Sequence, residues 1–277
     1  MTPEDLNTHL IGKINTALLN QELSKRDGKG VNPYRASSAG KCPRLLAYGL
    51  HYPELAETPT ARFAAVMSIG NALHGMISEW LRLAGIQIIE EEKTYEIEIL
   101  PGVKMRPRLD WILRIQGERV IVDAKTKSAT AFSLFQREGM SVDERAQLHV
   151  YSLATGIRRM AILGINKETG QLHIDYTEYD PSFMAHIRSL FRQVKVSTPD
   201  NLPERHHALT PHIKEYKTAK NTHRNEYEMR LPWQCRFCPY TEPCWAGEGI
   251  QTKEDGTQYR PMTDIERELA LVSGGRA

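Results

Sequence analysis

Three observations predict an α/β fold for this chain. The apolar period changes from helical to alternating near residue 85 and turns helical again near residue 142. β-Branched residues crowd the alternating stretches. The resulting order of helix, three or four strands, helix, strand, strand and helix is that of an α/β core. Composition agrees: 277 residues with 40% hydrophobic, 25% charged, 19 Gly and 15 Pro are the balance of an ordinary globular protein and exclude a disordered or collagen-like chain.

The elements follow in order. Leu6, Leu10, Ile11, Ile14, Leu18 and Leu19 recur at helical spacing after Pro3, so an amphipathic helix opens the chain and ends near an Arg26 to Gly30 turn. Pro43 to Tyr52 reads as a short helix and Ala61 to Ala84 as a longer one, stopped by Gly85. Ile86 to Ile89, Thr94 to Leu100, Val103 to Ile115 and Val120 to Ala124 read as strands, with Gln116, Gly117 and Glu118 as the tight turn between the last two. Val142 to Thr155 is helical. Met160 to Ile165 and Leu172 to Tyr179 are strands joined by an Asn166 to Gly170 turn, and Pro181 to Val196 is an amphipathic helix. Residues 197 to 230, rich in His, Lys, Arg, Asn and Thr, read as a connector or exposed basic segment, and no core pattern is legible from Thr252 onward. A net charge of +2 confines any nucleic-acid surface to a local patch. The longest apolar run, Leu109 to Ile115, is interrupted by Asp110 and Arg114 and is too short for a membrane helix. Glu4 and Asp5 stand where a secretory signal carries positive charge, which predicts a cytoplasmic protein.

Chemistry concentrates at Asp123-Ala124-Lys125, behind the apolar run Val120, Ile121 and Val122. Residues two apart on a strand share a face, so this carboxylate and ammonium stand side by side at the end of a buried strand. Asp27-x-Lys29, Glu91-x-Lys93 and Glu215-x-Lys217 repeat the spacing without the apolar strand. Asp110 lies on the preceding strand between Leu109 and Trp111. A carboxylate in such surroundings costs several kcal/mol unless it is paired or bound to metal, a demand met equally by a hydrolytic metal site and by a structural ion pair. His74 sits on the preceding helix, where Gly70 one turn earlier leaves room for the imidazole to reach a metal; a core histidine is the alternative. Glu79, the competing helix carboxylate, lies roughly 140° around the helix from His74. Gln147 and Tyr151 share a helix face as a polar pair able to hold a phosphate or a lysine, or merely to face solvent.

His74, Asp110, Asp123-x-Lys125 and Gln147-x-x-x-Tyr151, in that order on helix, strand, strand and helix, resemble the RecB-like exonuclease branch of the PD-(D/E)XK nuclease superfamily, over roughly residues 60–165. The resemblance implies a restriction-endonuclease-like core, a mixed central sheet flanked by helices. It also implies that His74, Asp110, Asp123 and the Ala124 carbonyl hold one or two Mg²⁺ or Mn²⁺ ions. Lys125 would orient or deprotonate the attacking water, and Gln147 and Tyr151 would steady the lysine and the DNA backbone. Hard divalent cations prefer carboxylate oxygens, which agrees with that donor set. The sequence departs from the branch at Arg106-Pro107-Arg108, where a glycine is common; Arg108 shares a face with Asp110 and is expected to contact DNA.

Four cysteines are too few for a disulfide framework in a chain of this length. Three of them, Cys235, Cys238 and Cys244, fall within ten residues and the fourth, Cys42, lies near the other end, a spacing that suggests a site clipping two remote segments together. The one-plus-three arrangement, with Ser37, Ser38, Gly40, Lys41 and Arg44 around Cys42, resembles the iron-sulfur staple of the AddB nucleases and of CRISPR-associated RecB-like exonucleases. It implies a [4Fe-4S] cluster joining the N- and C-terminal segments, with Zn²⁺ as the alternative. Trp233, Phe237, Tyr240 and Trp245 would shield the cluster or offer a stacking surface to an unpaired base. Lys214, Lys217, Lys220, Arg224, Arg230 and Arg236 are a solvated face when taken alone. Beside a nuclease core they become a backbone-tracking surface, with Arg236 the expected DNA contact.

The expectation is therefore four segments: an N-terminal helical segment with the first cysteine (1–58), a nuclease core (59–196), a basic connector with three cysteines (197–250) and a tail (251–277). The expected activity is metal-dependent exonucleolytic hydrolysis of single-stranded DNA or duplex ends in recombination, repair or phage replication. The alternatives are a CRISPR adaptation nuclease working with an integrase and a catalytically silent, zinc-containing DNA-binding subunit.

Overall fold

The computed structural model describes residues 3–24, 32–217 and 223–272. The chain divides into two units: Met1–His51 with Thr58–Pro203, and Tyr52–Glu57 with Glu204–Ala277. The Arg26 to Gly30 turn and Lys220 lie outside the described residues.

The first unit begins with α1 (Pro3–Ser24), a 3-10 turn at Ala36–Ser38, α2 (Pro43–His51) and α3 (Ala61–Leu83). Thr60 caps α3, its side chain accepting the Phe63 N–H. The strands are β1 (Gln87–Glu91), β2 (Ile97–Leu100), β3 (Val103–Met105), β4 (Trp111–Ile115) and β5 (Glu118–Lys127). After α4 (Ala129–Glu138) and α5 (Val142–Thr155) come β6 (Arg159–Asn166), β7 (Leu172–Glu178) and α6 (Pro181–Val196).

The strand expected over Val103 to Ile115 is broken in two. Pro107 has no N–H to give to a ladder, and its carbonyl is spent on the Tyr95 N–H, so β3 stops at Met105 and Asp110 enters β4 from an irregular lead. β5 is longer than the expected Val120 to Ala124 and carries Lys125 and Lys127. α4 has no counterpart among the expected elements.

The central sheet has the order β1-β4-β5-β6-β7 and is mixed: β5 and β6 are parallel and the other pairs antiparallel. The β4–β5 turn has Gln116 and Gly117 at φ 51° and 85°, the two positive values a type I′ hairpin requires. Alternation along the strands sorts the core into two layers. Trp111, Leu113, Val120, Val122 and Ala124 pack under Ile77 and Leu81 of α3. Ile112, Ile121, Met160 and Ile162 pack with Phe135 of α4, Leu148 and Val150 of α5 and Phe191 of α6. Asp123, two residues beyond Ile121, belongs to this second face.

The second unit holds β8 (Thr210–Lys217), β9 (His223–Arg230), α7 (Trp233–Arg236), α8 (Thr241–Cys244), β10 (Gln251–Thr252), β11 (Gln258–Pro261) and α9 (Asp264–Val272). Its four-stranded sheet has the order β10-β11-β9-β8. Within the segment read from composition as a connector, Thr210–Lys217 and His223–Arg230 thus pair as antiparallel strands, and the tail beyond Thr252 supplies a strand and a helix. Among the described residues no helix is long and apolar enough to cross a membrane.

Candidate active site

Four elements of the first unit deliver polar side chains to one cleft of about 560 Å³, whose lining includes His74, Asp110, Asp123, Lys125, Gln147 and Tyr151. Asp110 stands immediately before β4 and Asp123 lies on β5, where the hairpin register pairs Trp111 with Val122 and so brings the two carboxylates to the same end. Asp110 Oδ2 accepts the Ala124 N–H at 2.9 Å and lies 3.4 Å from His74 Nδ1. That contact, chiefly its hydrogen bond, raises the His74 pKa against the opposing effect of burial. The imidazole also stacks on Trp111, whose Nε1 donates to the buried Ser78 Oγ at 2.9 Å, while that hydroxyl donates to the His74 carbonyl. Trp111 thereby ties α3 to β4 beside the site.

Asp123 is 1% exposed. Its Oδ2 is 2.7 Å from Lys125 Nζ, yet among the described residues that oxygen makes no hydrogen bond of acceptable angle. Burial pushes the Asp123 carboxyl up to about 6, against the opposing pull of Lys125. Burial acts against the Lys125 ammonium as well, but Asp123 outweighs it and holds the lysine pKa above its ordinary value. From α5, Gln147 Nε2 reaches Asp123 Oδ1 at 3.4 Å and donates to the Tyr151 hydroxyl at 2.6 Å. Burial and the nearby Asp123 raise the Tyr151 pKa, so its phenol stays protonated. The Ser141 capping box starts α5, and Gly156 ends it in the left-handed region.

The two carboxylates and the imidazole that line this cleft are donor types suited to a hard divalent cation. Among the described residues no three His, Cys, Asp or Glu side chains are close enough to hold a metal as they stand, so ligation requires His74, Asp110 and Asp123 to close on one point. Glu79 is exposed. Arg108 lines the cleft and is ion-paired with Glu92. Ser37, from the surroundings of Cys42, and Arg106, beside Arg108, line it too, as do Arg35 and Asn71, which carry no motif signal of their own.

The cysteines belong to both units: Cys42 just precedes α2, while Cys235, Cys238 and Cys244 lie on and around α7 and α8. All four are half-buried and none forms a disulfide. Thr241 Oγ1 donates to the carbonyls of Cys235 and Cys238, and Arg205 donates to that of Cys244. Thiolate chemistry suits iron-sulfur or zinc; within the second unit Cys235, Cys238 and Cys244 are not grouped as three ligands to one metal. Of the aromatics, Tyr240 and Trp245 are buried and Trp233 and Phe237 exposed. Arg236 ends α7, and Lys214 and Arg230 lie on the hairpin strands, all in the second unit.

The mixed sheet thus carries paired acids and a lysine at the end of its central hairpin. Residues 81–245 match the model of the PD-(D/E)XK nuclease superfamily, and the chain belongs to that superfamily, whose members typically use divalent metals such as Mg²⁺. Similar solved structures include SSO0001, with 19% identity, a TM-score of 0.47 and coverage of 65% of this chain and 84% of that one. The alkaline exonuclease LHK-Exo from Laribacter hongkongensis has 13% identity and a TM-score of 0.39, over 47% of this chain and 66% of that one. LHK-Exo in complex with dAMP has 14% identity and a TM-score of 0.40, over 58% and 87%. No curated protein matches the chain.

Proposed function

We propose that this chain is a divalent-metal-dependent DNA exonuclease that hydrolyses phosphodiester bonds at DNA ends or in single-stranded DNA, in recombination, repair or phage replication. The observation that carries the reading is the fully buried Asp123 carboxylate, ion-paired with Lys125 at 2.7 Å in a cleft shared with Asp110 and His74.

His74, Asp110, Asp123 and the Ala124 carbonyl would hold Mg²⁺ or Mn²⁺, which when bound supplies a polarised phosphate and an acidified water. Lys125, kept a cation by Asp123, orients that water by N–H donation and balances charge on the phosphate. Gln147 steadies Asp123 from α5, and Tyr151 holds the Gln147 amide. Arg108 is supported as a DNA contact by its place on the cleft wall, and Arg236 by its charge alone. The cysteine reading, a [4Fe-4S] cluster on Cys42, Cys235, Cys238 and Cys244, rests on spacing and thiolate chemistry, and no step of the reaction runs through it.

Digestion of end-labelled single-stranded and duplex DNA with Mg²⁺ or Mn²⁺ tests the proposal. Terminal nucleotides or short oligomers released from an end support it; internal fragments alone, or no hydrolysis with either metal, overturn it.

A further inference from the structure

β5 runs on past the catalytic pair. Lys127 follows Lys125 by two residues and so shares its face of the sheet, toward α5. Its ammonium donates to Glu144 Oε1 at 2.6 Å and stands 4.6 Å from the centre of the Phe135 ring. Both side chains are nearly shut off from water, at 13% and 12% exposure. Glu144 is also the third residue of the α5 capping box. Its Oε2 accepts the Ser141 N–H at 2.8 Å and the Ser141 hydroxyl at 3.0 Å. One carboxylate therefore fastens the first turn of α5 to β5 with one oxygen and to its own cap with the other.

Gln147 is the next residue on that helix face, three positions on from Glu144. Its 3.4 Å approach to Asp123 Oδ1 is at the long limit for a hydrogen bond, so a small slide of α5 breaks it. A buried ion pair is a poor source of net stability, because desolvation offsets the attraction; what it is suited to supply is a fixed geometry.

We propose that Lys127 and Glu144 are positioning residues, their ion pair setting α5 against β5 so that the Gln147 amide meets the Asp123 carboxylate. The proposal rests on the nuclease reading of Asp123 and deepens it.

The full chain is compared with Lys127→Met, Lys127→Arg, Glu144→Gln and Ser141→Ala. Glu144→Gln removes the ion pair but keeps an acceptor for the cap, whereas Ser141→Ala weakens the cap and keeps the ion pair. Two quantities are measured where melting curves show each variant folded: kcat and KM with saturating Mg²⁺, and the Gln147 side-chain amide resonances, assigned by their loss in Gln147→Ala. Lys127→Met and Glu144→Gln are expected to lower kcat by roughly tenfold to a hundredfold with KM nearly unchanged, the size expected of a misplacement of about 1 Å. Lys127→Arg restores the rate, and Ser141→Ala keeps it despite a lower melting temperature. The Gln147 signals move toward those of an unbound amide in the first two variants and hold their place in Ser141→Ala. Wild-type kcat in both ion-pair variants, unmoved Gln147 signals, or an equal loss in Ser141→Ala overturns the proposal. If the wild type hydrolyses no DNA, the nuclease reading fails, and the resonances alone decide whether the pair positions Gln147.

Discussion

Asp123→Asn is expected to make the metal-free protein more stable while removing its activity. Burial lifts this carboxyl from 3.8 to about 6 even with Lys125 at 2.7 Å. The raised value belongs to an acid, so the charged form is the disfavoured one. The cost is fully present above pH 6, shrinks as pH falls from about 6 to 4, and is absent below. At about 1.4 kcal/mol per pH unit between the two values, the ionised carboxylate costs the fold of the order of 3 kcal/mol at pH 8. Asn has nearly the same shape, can still accept from Gln147, and carries no charge. Denaturant unfolding in a chelator should therefore show Asp123→Asn more stable than wild type by about 3 kcal/mol at pH 8, a gap that closes near pH 4. Mg²⁺ should raise the stability of the wild type and leave the variant unchanged, because a ligand stabilises only the state that binds it. A variant no more stable than wild type at pH 8 refutes the reasoning, since it would mean the buried carboxylate is already satisfied without metal.

Three further outcomes follow from other parts of the molecule. A Cβ on Gly164 of β6 would stand 2.5 Å from Phe135 Cε1, so Gly164→Ala should cost about 1–3 kcal/mol in denaturant unfolding, with Phe135→Leu in the same chain recovering part of it. In the second unit, Arg260 and the Thr263 cap hold the Glu266 carboxyl down to about 2. Its lowered value places that stability above pH 4.5 and removes it as pH falls toward 2, so melting curves of wild type and Glu266→Gln should differ at pH 6 and converge at pH 2. Chemical analysis of anaerobically purified protein tests the cysteine reading: iron and acid-labile sulfide, lost in Cys42→Ala, support a cluster, and zinc, or no metal, contradicts it.

The fold and cleft were legible to different depths. Asp110 and Asp123 stood out because charges on apolar strands are conspicuous, and strand geometry placed Lys125 beside Asp123. The sheet's mixed character was expected from the resemblance alone; the parallel pairing of β5 and β6 that makes it mixed has no residue pattern to mark it. α4 was passed over because it has only ten residues, although the Ser128 cap, Phe132, Phe135 and the Gly139 stop mark it. The β8–β9 hairpin escaped because the alternation His212, Ile213, Lys214, Glu215 is carried by charged and polar groups that resemble a solvated segment. α9 carried a readable signal in Thr263-x-x-Glu266. The Lys127–Glu144 pair was not readable, because its partners are 17 residues apart and meet only through the packing of α5 on β5.

The central claim is that Lys125 works beside a metal held by Asp110 and Asp123, and its most direct test is the rate at which wild type and Lys125→Ala release label from end-labelled DNA in Mg²⁺. DNA binding by fluorescence anisotropy is followed in parallel. Wild type should cleave in Mg²⁺ and stop when a chelator is added; Lys125→Ala should bind DNA about as tightly and release no label, the pattern of an interaction used only in the reaction. Cleavage by Lys125→Ala at near wild-type rate, or cleavage that persists in the chelator, would contradict the account.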